Sequence, residues 1–429
     1  MEIAGFSGSV LTSPSALALA ADDFGHVVRS VPAVVARPAL VSDVAVAVRW
    51  AAARGWQVAA RGLGHSVYGR SQVAGGVVVD LAELSSVSVV GADRVVVEAG
   101  ASWRSVVAAA LSTGLTPPVL PNFLDLSVGG TLSVGGVGGA THRYGFQTDN
   151  VLSLEVVTGS GSVVTCSPTV NPALFDAVRG GLGQFGIIVR AELTLVPAPS
   201  SVRLYTLPYP SLAALASAQL RLLERGGVDH LQGSVLVGDS RQYVLEVGVF
   251  DGAAELDASA QVDELPYAAY VHGFDRFTEL LRSTGEWSLA HPWFLTFLPS
   301  STAVEVASSI VHSLQASDLG AHGRVLFYPV PTAALRTPLL RVPSEPVAFV
   351  FNLIRFGPES LVAQNARFYK QVREAGGVLY PVSALPWSPA DWREHFGVLW
   401  PGIVQDKERF DPAHLLTPGY ELFARWGAR

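Results

Sequence analysis

The stretch GWQVAARGLGHSVYGRSQVAGGVVVD, residues 55–80, decides how the whole chain is interpreted. Its pattern predicts a strand at 56–60, a tight loop, and a second apolar strand at 76–81. The loop at 61–66 contains two glycines, and without Cβ atoms successive backbone N–H groups can point at one anion. His65 stands between Gly64 and Ser66, where packing does not require an imidazole. This first glycine loop therefore suits a phosphate, with charge added by Arg61, although a glycine-rich turn with a surface histidine has the same composition.

The composition indicates a chain with a large apolar core. Of its 429 residues 49% are apolar and 15% are charged, which predicts two domains and argues against disorder. The net charge of −7 argues against nucleic acid or an anionic membrane as a partner. A single cysteine, Cys166, excludes an internal disulfide framework and a cysteine-based metal cluster, and no metal site is predicted. Because no apolar run reaches transmembrane length and the first thirty residues lack the pattern of a signal peptide, we expect a soluble, cytoplasmic protein.

Two further glycine-rich segments follow the first loop. The second glycine segment, residues 127–139, contains six glycines, and the third, residues 180–189, leads into a predicted strand. Glycine loses more conformational entropy on folding than other residues, so such runs make sense where backbone must pass close to a large flat ligand. Three of them suit a dinucleotide spread over a long cleft. None is a Rossmann fingerprint, because each leads into a strand or a longer loop instead of joining a strand to a helix.

The remaining patterns predict a mixture of helices and strands. Asp43 is expected to cap a helix that ends before Gly55, and residues 87–90 and 95–98 are expected to form a hairpin. Further helices are expected at 103–112, 172–179, 212–224 and 361–375, and further strands at 187–196, 242–250 and 293–298. The large aromatic residues of the second half are expected to belong mostly to the core, with a minority lining a pocket: Phe274, Phe277, Trp287, Trp293, Phe327, Tyr328, Phe351, Trp387 and Trp400.

Six motifs then identify a resemblance: RGLGHS, VGGTLSVGGVGG, RYGFQTDNVLSLEVVTGSGSVVTC, GGLGQFGIIVRAEL, HPWFLTFLP and FDPAHLLTPG. Their order is typical of FAD-linked oxidases of the vanillyl-alcohol oxidase/p-cresol methylhydroxylase superfamily, and over residues 23–423 the chain resembles the cytokinin dehydrogenases. The resemblance implies an α+β fold with a PCMH-type FAD-binding domain of two α/β subdomains. It also implies a substrate-binding cap domain whose antiparallel sheet is flanked by helices. We expect the FAD domain to be discontinuous, residues 1–200 and 377–429, with the cap at 201–376, because the last motif returns to the flavin in the family.

The same resemblance assigns the cofactor residues. His65 lies where the family histidine is bonded covalently to the flavin, and Phe123 stands close to the position of the second linking cysteine of bicovalent relatives. We therefore expect FAD held by a single covalent link. The remaining positions assigned to the cofactor are Gly62, Leu63, Gly64, Ser66 and Arg70 around the pyrophosphate, Ser127, Gly130, Ser133 and Val137 in the second segment, Ile188 on the adenine side, and Tyr380 and Thr417 near the C-terminus.

The substrate residues depart from the family pattern. The family aspartate that accepts the substrate proton is replaced by Asn122, and an amide cannot act as a general base near neutral pH. Asp125 is three residues further on. The family glutamate that holds the substrate amine corresponds to either Glu279 or Glu286. For an alcohol substrate, a tyrosine is the alternative proton acceptor: Tyr144 or Tyr420.

Two functions are consistent with these residues. The first is an FAD-dependent oxidoreductase that takes a hydride from a C–H next to an amine or alcohol of a small organic substrate. That substrate is expected to be a secondary metabolite instead of a cytokinin, with O₂ or another electron acceptor reoxidising the flavin. The second is a cyclase or lyase that keeps FAD as a structural element, in which the Asn122 amide polarises a carbonyl.

Overall fold

The computed structural model describes residues 2–256 and 259–423. Within these ranges the strands form four sheets, of four, five, two and eight strands. The mixture of helices with one mainly parallel sheet and several antiparallel sheets confirms the predicted α+β class. None of the described helices combines the length and the apolar character that a membrane span requires.

The first sheet carries the first glycine loop. Its strands are β1 (Ser9–Leu11), β2 (Val34–Arg37), β3 (Val58–Arg61) and β4 (Val77–Asp80), and its helices are α1 (Pro14–Ala20) and α2 (Val41–Ala52). Strands β2, β4 and β3 are parallel neighbours, and β1 pairs with β2 in the antiparallel sense. The predicted order of strand, loop and strand is therefore present, and the loop leaves the carboxyl end of β3.

The cap expected at Asp43 is wrong, because α2 begins two residues earlier. Its N-cap is Leu40, and Asp43 lies in the first turn. There its carboxylate accepts hydrogen bonds from the backbone N–H groups of Ala39 and Leu40, at 3.0 and 3.1 Å. Asp43 therefore still satisfies free donors at the start of the helix, but from inside it.

The second sheet carries the other two glycine segments. The strands in this part are β5 (Val87–Val90), β6 (Arg94–Glu98), β7 (Leu115–Thr116), β8 (Val151–Val157), β9 (Val163–Cys166), β10 (Ile187–Thr194) and β11 (Val196–Pro197). The helices are α3 (Trp103–Leu111), α4 (Val128–Leu132), α5 (Thr141–Tyr144) and α6 (Pro172–Val178). An antiparallel sheet has the order β5-β6-β10-β8-β9, and β7 pairs with β11. The hairpin of β5 and β6 was predicted, whereas α4, a short helix inside the second glycine segment, was not.

The large sheet follows, with eight antiparallel strands in the order β15-β12-β14-β13-β17-β18-β16-β19. These are β12 (Ser201–Tyr209), β13 (His230–Val237), β14 (Arg241–Phe250), β15 (Gln261–Pro266), β16 (Phe294–Pro299), β17 (Arg324–Pro331), β18 (Val347–Ile354) and β19 (Val378–Leu379). The helices of this part are α7 (Leu212–Arg225), α8 (Tyr267–Val271), α9 (Asp275–Ser283), α10 (Ser300–Ser313) and α11 (Leu361–Glu374).

The two faces of the large sheet have different neighbours. Helices α7 and α10 pack on one face, where Gln219 donates a hydrogen bond to the Phe327 carbonyl at 2.8 Å. Because side chains alternate along a strand and directly paired residues share a face, Gln232 and Glu246 lie together on the opposite face. That face points towards the glycine segments and forms one wall of the site described below.

The C-terminal residues return to the first sheet. After α12 (Pro389–Phe396) and α13 (Trp400–Phe410), Leu416 forms a parallel bridge with Val58 of β3. The Lys407 ammonium forms an ion pair with Asp411 at 2.8 Å and donates to the Gln184 carbonyl of the third glycine segment, also at 2.8 Å. These contacts favour the proposed division into a discontinuous FAD domain, 1–200 and 377–429, and a cap, 201–376, which stays a prediction.

Replacing Lys407 with methionine is expected to lower the free energy of unfolding by ~3–5 kcal/mol, because the buried Asp411 carboxylate would lose its counter-charge. The two side chains are 2% and 0% exposed. The chain's only other lysine provides the control: Lys370 is 72% exposed, and Lys370→Met should change stability by less than ~0.5 kcal/mol. Denaturant unfolding measures both changes. Equal stability of Lys407→Met and wild type would show that the pair does not hold the C-terminal segment.

Candidate active site

A cavity of about 680 Å³ lies between the glycine segments and the open face of the large sheet. Its volume is within the range of ~300–1,000 Å³ that is usual for small-molecule sites. All three glycine segments contribute to its wall, together with α8, α9 and the C-terminal motif around Thr417. The cavity therefore collects residues from distant parts of the sequence.

The first glycine loop is held from behind by charged groups. Gly64 adopts a φ of +73°, and a Cβ atom there would come within 2.4 Å of the Arg61 guanidinium. Arg61 donates to the Asp22 carbonyl at 2.7 Å, so it supports the loop and does not line the cavity. The Asp23 carboxylate accepts hydrogen bonds from the Ser66 hydroxyl at 2.9 Å and the Gly69 N–H at 2.7 Å. Together these bonds fix the loop in its left-handed turn.

The glycine segments meet each other at close range. A Cβ atom on Gly62 would lie 2.0 Å from the Ser127 hydroxyl oxygen, so only glycine permits this crossing of the first and second segments. The Thr417 hydroxyl donates to the Gly183 carbonyl of the third segment at 2.8 Å. The Tyr380 hydroxyl accepts a hydrogen bond from a backbone N–H of the second segment. Backbone of all three segments is thus brought to one cavity.

Arg70 connects the first loop to the C-terminal motif. Its guanidinium donates to the carbonyls of Gly419 and Leu385, both at 3.0 Å, and stacks on the ring of Tyr420. Burial lowers the pKa of Arg70, but a guanidinium keeps its charge in proteins. Arg70 therefore presents a positive charge to the end of the cavity where a phosphate is predicted.

His65 is packed among aromatic rings at the cavity wall. Its ring stacks on Phe24 with the centroids 4.6 Å apart and lies 4.7 Å from Phe123. Burial lowers its pKa to about 4, so the imidazole is neutral at physiological pH. Its Nε2 atom is buried and has no hydrogen-bond partner among the described residues. A neutral imidazole with an unused nitrogen is the form that can act as a nucleophile.

Most of the residues assigned to the cofactor line this cavity. They are Gly62, Leu63, Gly64, His65, Ser66, Arg70, Ser127, Gly130, Ser133, Val137, Ile188, Tyr380 and Thr417. Two of the candidates for catalysis, Asn122 and Tyr420, line it as well. The expectation that only a minority of the nine large aromatic residues line a pocket is wrong, because five of them line this cavity: Phe274, Phe277, Trp287, Trp293 and Tyr328.

The structure does not bring the other catalytic candidates to the cavity. Asp125 forms an ion pair with Arg104 at 2.6 Å, and Glu279 is exposed on α9. Tyr144 lies at the end of α5, outside the lining. Glu286 is buried, and its carboxylate contacts His322 and accepts from a backbone N–H. Asp125 and Glu286 are therefore engaged with other groups, and Glu279 and Tyr144 lie outside the cavity.

Asn122 faces the large sheet across the cavity. Its side-chain N–H₂ donates to the Gln232 side-chain oxygen at 3.3 Å. Gln232 is the direct cross-strand partner of Glu246. The Glu246 carboxylate on β14 therefore lies next to Gln232, the residue that Asn122 contacts.

Glu246 is a candidate functional residue that the sequence pattern alone did not indicate. Among the described residues that line the cavity, it is the only aspartate or glutamate. Burial raises its pKa, while the charge of Arg324 opposes that shift. The available signal was a lone glutamate within the predicted apolar strand YVLEVGV, residues 243–249. An ionisable residue on a buried strand face is a candidate for function.

A second polar pair lies beside Glu246. The Tyr270 hydroxyl and the His230 Nδ1 atom are 2.7 Å apart, and both residues line the cavity. Burial lowers the pKa of His230 to about 4, and burial raises the pKa of Tyr270. Both groups are therefore neutral near pH 7.

Two family models match separate parts of the chain. Residues 32–167 match a model described as an FAD binding domain. Residues 256–423 match a model described as cytokinin dehydrogenase 1, FAD and cytokinin binding.

Curated proteins are similar over nearly the whole chain. An uncharacterized oxidoreductase, ORF5 in the fasciation locus of Rhodococcoides fascians, is 41% identical, over 97% of this chain and 99% of that protein. Cytokinin dehydrogenase 4 of Arabidopsis thaliana is 32% identical, over 97% of this chain and 92% of the relative. Cytokinin dehydrogenase 1 of Oryza sativa subsp. japonica is 33% identical with the same coverage.

A solved structure shares the fold. The crystal structure of 6-hydroxy-D-nicotine oxidase from Arthrobacter nicotinovorans aligns with a TM-score of 0.74, over 98% of this chain and 99% of that chain, at 22% identity. The chain thus has the architecture predicted for it, a PCMH-type FAD-binding domain together with an antiparallel-sheet domain.

The residues present fit FAD. The glycine segments leave backbone exposed along the cavity. A side chain at Gly62 would collide with Ser127, where the first and second segments cross. Arg70 offers a charge for a diphosphate, and His65 lines the cavity with a buried Nε2 atom that has no hydrogen-bond partner among the described residues. The lining of the cavity therefore suits FAD and leaves further space beneath the large sheet.

Proposed function

Because the chain belongs to the cytokinin dehydrogenase family of FAD-linked oxidoreductases, we propose that it oxidises a small organic amine or alcohol other than an isoprenoid cytokinin. The observation that carries this proposal is the distribution of charged residues in the part of the cavity beneath the large sheet. Asn122 replaces the family's proton acceptor, and two charged residues, Glu246 and Arg324, line the cavity instead. A neutral isoprenoid chain would leave the Arg324 charge desolvated and without a partner.

Bound FAD supplies the electron acceptor, and the chain supplies orientation, exclusion of water and a destination for the proton. Phe274, Phe277 and Trp287 line one side of the cavity and would hold a flat or apolar substrate body. Asn122 uses its N–H₂ on Gln232, which leaves its carbonyl oxygen able to accept a hydrogen bond from a substrate N–H or O–H.

Oxidation of an amine or alcohol requires a group that accepts the N–H or O–H proton. Asn122 cannot serve, and His230, with its pKa lowered to about 4 by burial, is a weak base near neutrality. Burial raises the pKa of Tyr420 to about 12, so its hydroxyl keeps its proton. Glu246 is ionisable, faces the cavity and has a pKa raised towards the working pH. Glu246 is therefore the proton acceptor in this proposal.

The non-redox alternative, a cyclase or lyase that keeps FAD as structure, is not supported, because the similar proteins are named oxidoreductases and dehydrogenases. Three details stay predictions: a secondary metabolite as the substrate, O₂ or another electron acceptor, and a cytoplasmic location.

Anaerobic addition of candidate substrates to the purified holoenzyme tests this function. A panel of small primary and secondary amines and alcohols should contain compounds that bleach the yellow flavin band. Isopentenyladenine should bleach it ~10²-fold or more slowly than the best of them, since the general base of the family is absent from its usual position. If isopentenyladenine reduces the flavin as fast as it does in an authentic cytokinin dehydrogenase measured alongside, the proposed substrate class is wrong. Turnover with an unchanged flavin band would contradict the redox function itself.

A further inference from the structure

Arg324 is a half-buried cation in the substrate part of the cavity. It begins β17, and its guanidinium lies 4.5 Å from the centre of the Phe277 ring. In the described ranges its side chain forms no hydrogen bond or ion pair, and its Nε atom is buried and unsatisfied. The other arginine that lines the cavity, Arg70, also has a buried Nε without a partner, but two backbone carbonyls accept hydrogen bonds from its Nη atoms.

An unpaired guanidinium in such a place is costly. Burial disfavours its charge, yet arginine does not lose its proton in proteins. Glu246 lies on the same sheet face and attracts it, but the two side chains form no ion pair among the described contacts. Since neither charge has a direct ion-pair partner among the described contacts, a ligand that carries both charges would supply one to each.

We propose that the substrate carries a carboxylate that binds Arg324, together with an amine directed at Glu246. The planar guanidinium fork matches a carboxylate with two parallel hydrogen bonds, which gives both affinity and orientation. Phe277 supports the fork from one face, so the guanidinium is already oriented before the ligand arrives. An amino-acid-like amine would thus bind as a zwitterion, with its oxidised end near Glu246 and Asn122. This inference rests on the proposed function, because it names the substrate class of that same site.

Equilibrium binding to the oxidised holoenzyme tests the inference without turnover. The probes are phenylacetate and phenylacetamide, which have matching shapes and contain no amine or alcohol carbon to be oxidised. Calorimetry and the flavin difference spectrum give their dissociation constants. Phenylacetate should bind about tenfold or more tightly, as a charge-assisted hydrogen bond to a half-buried arginine implies.

Variants assign that preference to one side chain. Arg324→Gln should abolish the preference, and Arg324→Lys should keep part of it, because the charge remains while the fork is lost. Arg282→Gln is the matched control: Arg282 also stacks on an aromatic ring, that of Trp287 at 4.9 Å, but it lies outside the cavity lining, so the preference should persist. Glu246→Gln should bind phenylacetate at least as tightly as the wild type, since it removes a like charge from the site.

The wild-type measurement is decisive even if an Arg324 variant fails to fold. Equal affinity for the two probes, no binding of either, or a preference that survives Arg324→Gln would each overturn the inference. The outcome is separate from that of the proposed function. Flavin bleaching by neutral amines without a carboxylate preference would leave the function standing and remove this inference. If phenylacetate binds more tightly than phenylacetamide but no amine or alcohol reduces the flavin, the inference would stand and the proposed function would be wrong.

Discussion

Replacing Glu246 with glutamine is expected to lower kcat/KM for amine oxidation by ~10²–10⁴, the usual contribution of a general base. The substitution keeps the size of the side chain and its position opposite Gln232, but it removes the ability to accept a proton. Substrate binding should be affected less than the rate. Stopped-flow reduction of the flavin under anaerobic conditions separates the two effects.

The pH profile gives an independent readout for the same variant. A carboxylate acts as a base only when it is deprotonated, and burial raises the pKa of Glu246. The wild-type rate should therefore fall as the pH is lowered through that raised pKa, and this acidic limb should disappear in Glu246→Gln. Glu264→Gln is the control, because Glu264 is on β15 of the same sheet but is exposed and outside the cavity. Its kinetics should be those of the wild type.

A companion variant tests the neighbouring position. Asn122→Asp places a carboxylate where the family has one, and in the Glu246→Gln background it should restore part of the lost rate. If Glu246→Gln alone keeps full activity and the acidic limb, the proton acceptor lies elsewhere, and the Tyr270–His230 pair is the next group to change.

Much of the part of the site that is assigned to FAD could be predicted from the sequence, because its shape depends on close approaches of the backbone. The crossing of Gly62 over Ser127 and the contact of Thr417 with Gly183 require particular small residues, and such requirements leave a signature in sequence. The helix α4 was not foreseen, because glycine disfavours helices when considered alone. Here Gly129 allows α4 to approach Ala99, where a Cβ atom would lie 2.7 Å from the alanine side chain.

The part of the site that is assigned to the substrate could be predicted less well, because it depends on the direction of side chains and on strand register. Asp125 and Asn122 are three residues apart in an irregular segment, yet one pairs with Arg104 and the other faces the cavity. Glu246 reaches the site only because β14 pairs with β13 in a register that places it beside Gln232. Neither fact follows from local spacing. Arg61 shows the same limit, since a basic residue next to a phosphate loop was assigned to the ligand but bonds to Asp22 behind the loop.

Acid precipitation of the wild-type protein should leave the flavin attached, whereas His65→Ala should release it completely. The expected link follows from the position of His65 in the first glycine loop, its neutral state and its unpartnered Nε2 atom. Intact-mass measurement should show one added FAD in the wild type and none in the variant. His65→Ala should still bind FAD non-covalently, because the glycine segments and Arg70 remain.

The surroundings of His65 favour the prediction of a single covalent link. Phe123, which stands close to the position expected for the second linking cysteine of bicovalent relatives, packs against His65. Cys166 is buried on β9, outside the cavity, where burial raises the pKa of its thiol to about 12. A thiol in that state is not a nucleophile. His230→Gln provides the control for loss of a buried histidine, since His230 also lines the cavity but should not carry the flavin. This variant should keep its flavin after precipitation. A wild-type protein that loses all its flavin on precipitation would show that FAD is held by non-covalent contacts alone. Flavin that remains attached to His65→Ala would place the link at another residue.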